Sequence, residues 1–149
     1  MMYELNKYTE FRIDDTMIME YFGDGGSVII PEGVTDIFFE VFCANDSITA
    51  LQIAGTVDDI TPFLFEGCLA LKRVVLCEGV TKIGLSSFKD CAALERVFLP
   101  KSISSIAKGA FDGCGAFVIH YAGNEQMWKE VKREAPLDNA TVIFNSTYS

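Results

Sequence analysis

The chain has one histidine, one tryptophan and four prolines in 149 residues, and its 12 lysines and arginines are outnumbered by 21 aspartates and glutamates. Each shortage excludes something. Any Ser-His-Asp or Cys-His arrangement would have to be built on His120, and no nucleophile motif stands beside it. A net charge of −9 runs against nucleic acid, which is held by cations that neutralise phosphates, and against anionic membrane surfaces. No apolar run reaches the length of a membrane span. Met1–Lys7 lacks the basic start and apolar stretch of a secretory leader, so the expectation from sequence is cytoplasmic. Gly23-Asp24-Gly25-Gly26 lacks the lysine and the following helix of a phosphate-cradling loop. The five cysteines are odd in number and include no Cys-x-x-Cys pair. That argues against a disulfide framework and against a zinc site. Nothing here implies a cofactor, a metal or a catalytic residue.

What is present is an internal repeat. Ile30, Ile53, Leu76 and Leu99 are spaced by 23 residues, as are Val34, Val57, Val80 and Ile103. The same spacing links Ile37, Ile60, Ile83 and Ile106, then Phe42, Phe65, Phe88 and Phe111. Cys68, Cys91 and Cys114 form a further column, with Asn45 in the first position, and Ile48, Leu71, Leu94 and Phe117 form another. A period in the twenties with fixed apolar columns is the signature of a leucine-rich-repeat solenoid. One such turn cannot bury its apolar face alone, whereas stacked turns share a continuous core. The three periodic cysteines then read as a ladder of small buried residues at a tight corner.

The last full copy reads Leu94-x-x-Val97-x-Leu99-Pro100-x-x-Ile103-x-x-Ile106, followed by Phe111, Cys114 and Phe117. This pattern resembles the BspA-type (Treponema-type) leucine-rich repeat of bacterial and some protist proteins, from roughly Val28 onward. The departures fall mainly in the early copies, where Asn45 replaces the cysteine and Phe38 and Thr61 replace the glycine at Gly84, while Ala54 and Cys77 replace the proline found at Pro31 and Pro100. The resemblance implies a right-handed solenoid, poor in helix, of short strands and loops. It also implies a cell-surface or secreted setting and a role in adhesion or host-surface binding, as in secreted relatives.

The expected organisation is one structural domain in three parts. Residues 1–27 form an N-terminal β-hairpin cap, with strands from Glu10 to Ile13 and from Met17 to Phe22. Residues 28–117 hold four tandem repeats of 23 residues, giving a solenoid of about four to five turns. Residues 118–149 form a C-terminal cap. In it a strand ends at Tyr121, Asn124 caps a helix running to about Glu134, Pro136 stops the helix, and a strand from Ala140 to Phe144 closes the fold.

Function is then expected on the surface, as a non-catalytic protein–protein interaction module with an unidentified protein partner. Outward positions of the first strand in each turn place Arg73, Val75, Arg96, Phe98 and Tyr121 on one side of the sheet. Arginine beside aromatic and aliphatic groups is the composition of an interface hot spot. The alternative is a self-associating structural unit. The early loops carry Phe38, Phe39, Val41, Pro62, Phe63 and Leu64, more apolar groups than can all point inward. These pack on the hairpin, or Phe38, Phe39, Phe63 and Leu64 make a homodimer contact. A sugar-binding surface on Tyr121 and Phe98 is a third option. His120 is expected to be a structural or surface residue.

Overall fold

The computed structural model describes residues 10–148. Met1–Lys7, the start of the expected N-terminal cap and Ser149 lie outside the described residues. The described residues wind into a β-solenoid of about six turns with one short helix. Each turn begins with a strand, and these are β3 (Gly26–Ile30), β5 (Ile48–Ile53), β7 (Arg73–Leu76), β9 (Arg96–Leu99), β11 (Phe117–Tyr121) and β13 (Ala140–Ile143). They pair in parallel, in chain order, as one six-stranded sheet. The sequence columns count only four turns. The two further strands come from the C-terminal part, which joins the same sheet rather than only covering it.

A second short strand follows in the first five turns, namely β4 (Asp36–Ile37), β6 (Asp59–Ile60), β8 (Lys82–Ile83), β10 (Ser105–Ile106) and β12 (Lys132–Arg133). Strands β6, β8, β10 and β12 form a parallel ladder. The N-terminal hairpin of β1 (Phe11–Asp14) and β2 (Met17–Tyr21) joins β4 instead, with β2 parallel to it. The hairpin therefore extends this face by a rung and lays Phe11 and Tyr21 over Phe42, at ring separations of 6.5 and 5.3 Å.

The loops between turns are as regular as the strands. Phe65 N donates to Ser87 O at 2.8 Å, and Phe88 N to Ala110 O at 2.8 Å. Loop backbone is thus satisfied by the neighbouring turn, as buried peptide groups require. The loops keep one shape because left-handed backbone recurs at Ala44, Gly67, Asp90 and Gly113, with φ of 60, 75, 62 and 76°. Inside them the four phenylalanines stack, with Phe65 5.3 Å from Phe88 and Phe88 5.5 Å from Phe111.

The cysteine ladder has a specific use. Cys68, Cys91 and Cys114 are buried, and each thiol donates to the phenylalanine carbonyl one turn back: Phe42 at 3.2 Å, Phe65 at 3.3 Å and Phe88 at 3.2 Å. In the first turn Asn45 instead accepts the amides of Ser47 and Ile48. Burial pushes the Cys114 thiol up to about 12, and a hydrogen bond with the Cys68 thiol together with burial raises Cys91. Cys43 alone of the five is exposed, and Cys77 is half-buried with its thiol raised by burial. Only thiolates react quickly. Native iodoacetamide labelling followed by mass mapping should therefore modify Cys43 first and leave Cys68, Cys91 and Cys114 intact until the chain unfolds. Early labelling of any of those three would contradict the ladder.

The C-terminal part departs from expectation in two places. The helix α1 spans Glu125–Glu130, capped by the Asn124 side chain on Met127 N at 2.8 Å. It stops well before Pro136, because Val131 turns extended and the next residues pair with β10. Lys132 N donates to Ser104 O and Glu134 N to Ile106 O. Pairing with an open ladder outcompeted another helical turn. Trp128 packs on Tyr121 at 5.1 Å and is covered by the Arg133 guanidinium at 4.8 Å.

The crowded early loops divide. Leu64 is 1% exposed and belongs to the core, so it is unavailable for a homodimer contact. Phe38 is half-buried, and its amide donates to Ile18 O of the hairpin at 2.8 Å. Phe39, Phe63 and Leu85 remain exposed, and Phe63 N donates to Leu85 O at 3.0 Å.

Candidate functional site

Strand pairing writes the outer face of the six-stranded sheet as two columns. One runs Ser27, Ala50, Arg73, Arg96, Val118, Thr141. The other runs Ile29, Gln52, Val75, Phe98, His120, Ile143. Arg73 and Arg96 are exposed and adjacent, as the sequence columns imply. Phe98 is half-buried beside them.

Two residues expected on this face are not exposed there. Tyr121 is 1% exposed and points inward, in register with Leu99. The turn before β11 is one residue short, so the outer position falls on His120. Alternation along Phe117-Val118-Ile119-His120-Tyr121 carries that signal, since Phe117 and Ile119 are core residues and successive side chains change face. A sugar platform on Tyr121 and Phe98 loses its tyrosine. Val75 does face outward, yet it is 7% exposed. The segment after β13 folds back over the sheet and covers it.

That segment was not legible in the sequence. Asn145, with φ of 53°, turns the chain, and the amides of Asn145 and Ser146 donate to Gly123 O and Tyr121 O, each at 2.9 Å. The Tyr148 ring then lies 5.2 Å below the Arg73 guanidinium and 5.7 Å from Phe98, edge to face at 74°. An open cleft of about 290 Å³ runs beside it between Val75, Phe98, Gln52 and Glu78. A second hollow of about 210 Å³ lies on its other side, between Ile29, Ala50 and Arg73.

His120 organises the far end of the patch. Its ring stacks on Phe98 at 4.4 Å, nearly parallel at 11°. Nε2 lies 3.0 Å from Arg96 Nη1, and Nδ1 lies 2.8 Å from Ser146 Oγ. Arginine can only donate, so Nε2 accepts and the ring proton sits on Nδ1. Both nitrogens are thereby committed to positioning. Burial, then the charge of Arg96, hold the imidazole below its ordinary 6.5. The unfolded chain therefore takes up this proton first as pH falls. The stability His120 confers is complete above pH 6.5 and is lost as pH falls through the lower folded value. Melting curves from pH 7.5 to 5 should show wild type losing more stability on acidification than His120→Gln. Parallel losses in the two proteins would remove the argument.

Among the described residues no carboxylate lies within ion-pair distance of Arg73 or Arg96. Ion pairs among the described residues involve only Arg12, with Asp14 and Glu20. Like charges on adjacent strands destabilise a sheet, and here they are tolerated on a chain of net charge −9. Tyr148 and His120 satisfy the guanidinium groups by π contact and hydrogen bonding, and leave the positive field in place.

Comparison with known proteins agrees with this architecture. The family model described as the BspA type leucine rich repeat region, in six copies, matches residues 22–121. No curated protein matches the chain. Among solved structures, a leucine-rich repeat protein from Bacteroides ovatus is 26% identical with a TM-score of 0.59, over 87% of this chain and 38% of that one. The chain thus spans well under half the length of that relative. A leucine-rich repeat protein of T. pallidum is 21% identical with a TM-score of 0.51, over 76% of this chain and 69% of that one, and shares the fold. Such repeats are in general protein-interaction scaffolds and not catalytic ones. The columns, the stacked turns and the family match lead to one conclusion: the chain belongs to the BspA-type leucine-rich repeat family.

Proposed function

We propose that the chain is a non-catalytic protein-binding module whose contact surface is the outer face of the six-stranded sheet around Arg73, Arg96 and Phe98. The observation that supports this reading most is the adjacent arginine pair, which no carboxylate neutralises within the described residues. It borders an apolar cleft beside Phe98 and Val75. A sheet selected for stability alone would alternate the charge. Arginine next to an aromatic ring in a partly desolvated groove is the composition that carries binding energy at interfaces. The partner is a protein with a complementary acidic and apolar surface.

The family, whose members are often found at the cell surface, favours a surface setting and an adhesive role. Among the described residues no helix is long and apolar enough to cross a membrane.

The test is a pull-down from lysate and surface extract of the source cell. Wild type is set beside Arg73→Glu/Arg96→Glu/Phe98→Asp, and both are checked by melting. The specific partner should be lost with the variant, at a cost of at least about 30-fold in Kd, the loss expected if even one of the three residues is a hot spot. Unchanged affinity would sink the surface assignment. Exposed Phe39, Phe63 and Leu85 support a second reading, a homodimer through the loop edge. Light scattering on Phe39→Ser/Phe63→Ser separates the two, because the loop variant should shift mass only if copies pair there.

A further inference from the structure

We infer that the outer face takes an extended peptide segment presenting an aromatic side chain next to a carboxylate, and that the chain's own Asn145–Tyr148 segment fills this place in the unbound molecule. The inference rests on the surface reading above and names its partner class and its regulation.

The seat is defined by contacts. Tyr148 crosses from the edge of the sheet to the third strand inward, where Arg73 covers its ring and Phe98 meets it edge to face. Its effect shows within a single column: Ile29 is 55% exposed, whereas Val75, two strands along under Tyr148, is 7% exposed. The aromatic ring is therefore the group that completes this part of the face.

The seat is also lightly held. Tyr148 remains 46% exposed, and the segment's backbone bonds fall on Asn145 and Ser146, at the end of β11 and not over the cleft. Open space continues on both sides of the ring, about 290 Å³ toward Glu78 and Pro100 and about 210 Å³ toward Ile29. A longer segment that places its own ring between Arg73 and Phe98 would fill both hollows, and its carboxylate would meet the arginine pair. A carboxylate would add charge-assisted hydrogen bonds to the guanidinium groups, which the Tyr148 ring does not supply. An incoming segment therefore displaces Tyr148, and the internal occupant lowers the apparent affinity in proportion to its occupancy.

The experiment uses a random dodecapeptide library displayed on phage, selected against the full chain. The targets are wild type, Tyr148→Phe, Tyr148→Ala and Tyr148→Ala/Arg73→Glu, each confirmed folded by its melt. Tyr148→Ala should recover at least ten-fold more phage than wild type or Tyr148→Phe. The recovered peptides should carry Tyr, Phe or Trp beside Asp or Glu, and recovery should collapse when Arg73→Glu is added. Equal recovery from wild type and Tyr148→Ala, still lost with Arg73→Glu, would overturn the occupancy and leave the surface reading standing. Recovery indifferent to Arg73→Glu would overturn the surface reading itself. Peptides without aromatic residues, or no selection on any target, would overturn the peptide class.

Discussion

Phe88→Ala will lower the stability of the chain by about 3–5 kcal/mol, the range for removing a fully buried ring. Phe88 is 0% exposed and stacks between Phe65 and Phe111 at 5.3 and 5.5 Å. Its carbonyl also receives the Cys114 thiol at 3.2 Å. The cavity would open in mid-solenoid, where each turn is stabilised by contacts with both neighbours, so collapse from one side cannot fill it. For a chain of this size the melting temperature should fall by roughly 2–4 °C for each kcal/mol. Thermal melts of wild type, Phe88→Leu and Phe88→Ala provide the check, with the leucine variant between the other two. An alanine variant melting within a degree or two of wild type would refute the stacked register.

Trp128→Ala is the second large effect, and its character differs. Trp128 is 8% exposed and closes the C-terminal end of the core over Tyr121. Truncating a buried tryptophan costs about 3–5 kcal/mol in a core. Here the loss should appear first as local opening, since a solenoid end has a neighbour on one side only. Hydrogen exchange should show amides of β11 and β13 losing protection while β5 and β7 keep theirs. The consequence reaches the outer face. Tyr121 O and Gly123 O anchor Ser146 and Asn145, so loosening this end should also release Tyr148 and expose Val75. Uniform loss of protection along the chain, or none, would mean that Trp128 is not a cap of this kind.

How much of this was legible depends on which residues repeat. Ile53, Leu76 and Leu99 are 0, 3 and 2% exposed, and the phenylalanine and cysteine columns lie inside with them. Burial at a fixed position of a repeating unit leaves a periodic trace, and the trace is readable without coordinates. The same logic places Arg73 and Arg96 side by side. It fails where the period breaks. A spacing of 23 residues from Phe98, carried across a turn one residue short, puts Tyr121 outward. The strand alternation of Phe117, Ile119 and Tyr121 would have assigned it correctly. Leu64 shares a 23-residue column with Val41, Ser87 and Ala110, and Ser87 and Ala110 are buried with it, but the mixed residue types along the column hide its inward direction.

The amino-acid sequence alone thus determined the solenoid, its family and the columns of its core. Those follow from local periodicity, and every turn needs the same inward residues to bury its face. Tertiary structure alone decided two things. The helix ended at Glu130 because an open ladder edge was available to β12. The Asn145–Tyr148 segment came to rest on the outer face, against Arg73, Phe98 and His120. Each is a contact made by a C-terminal segment that follows the last 23-residue copy and matches none of its columns. Such a contact leaves no period to read, and its outcome is set by which partner surface is left uncovered when the turns have stacked.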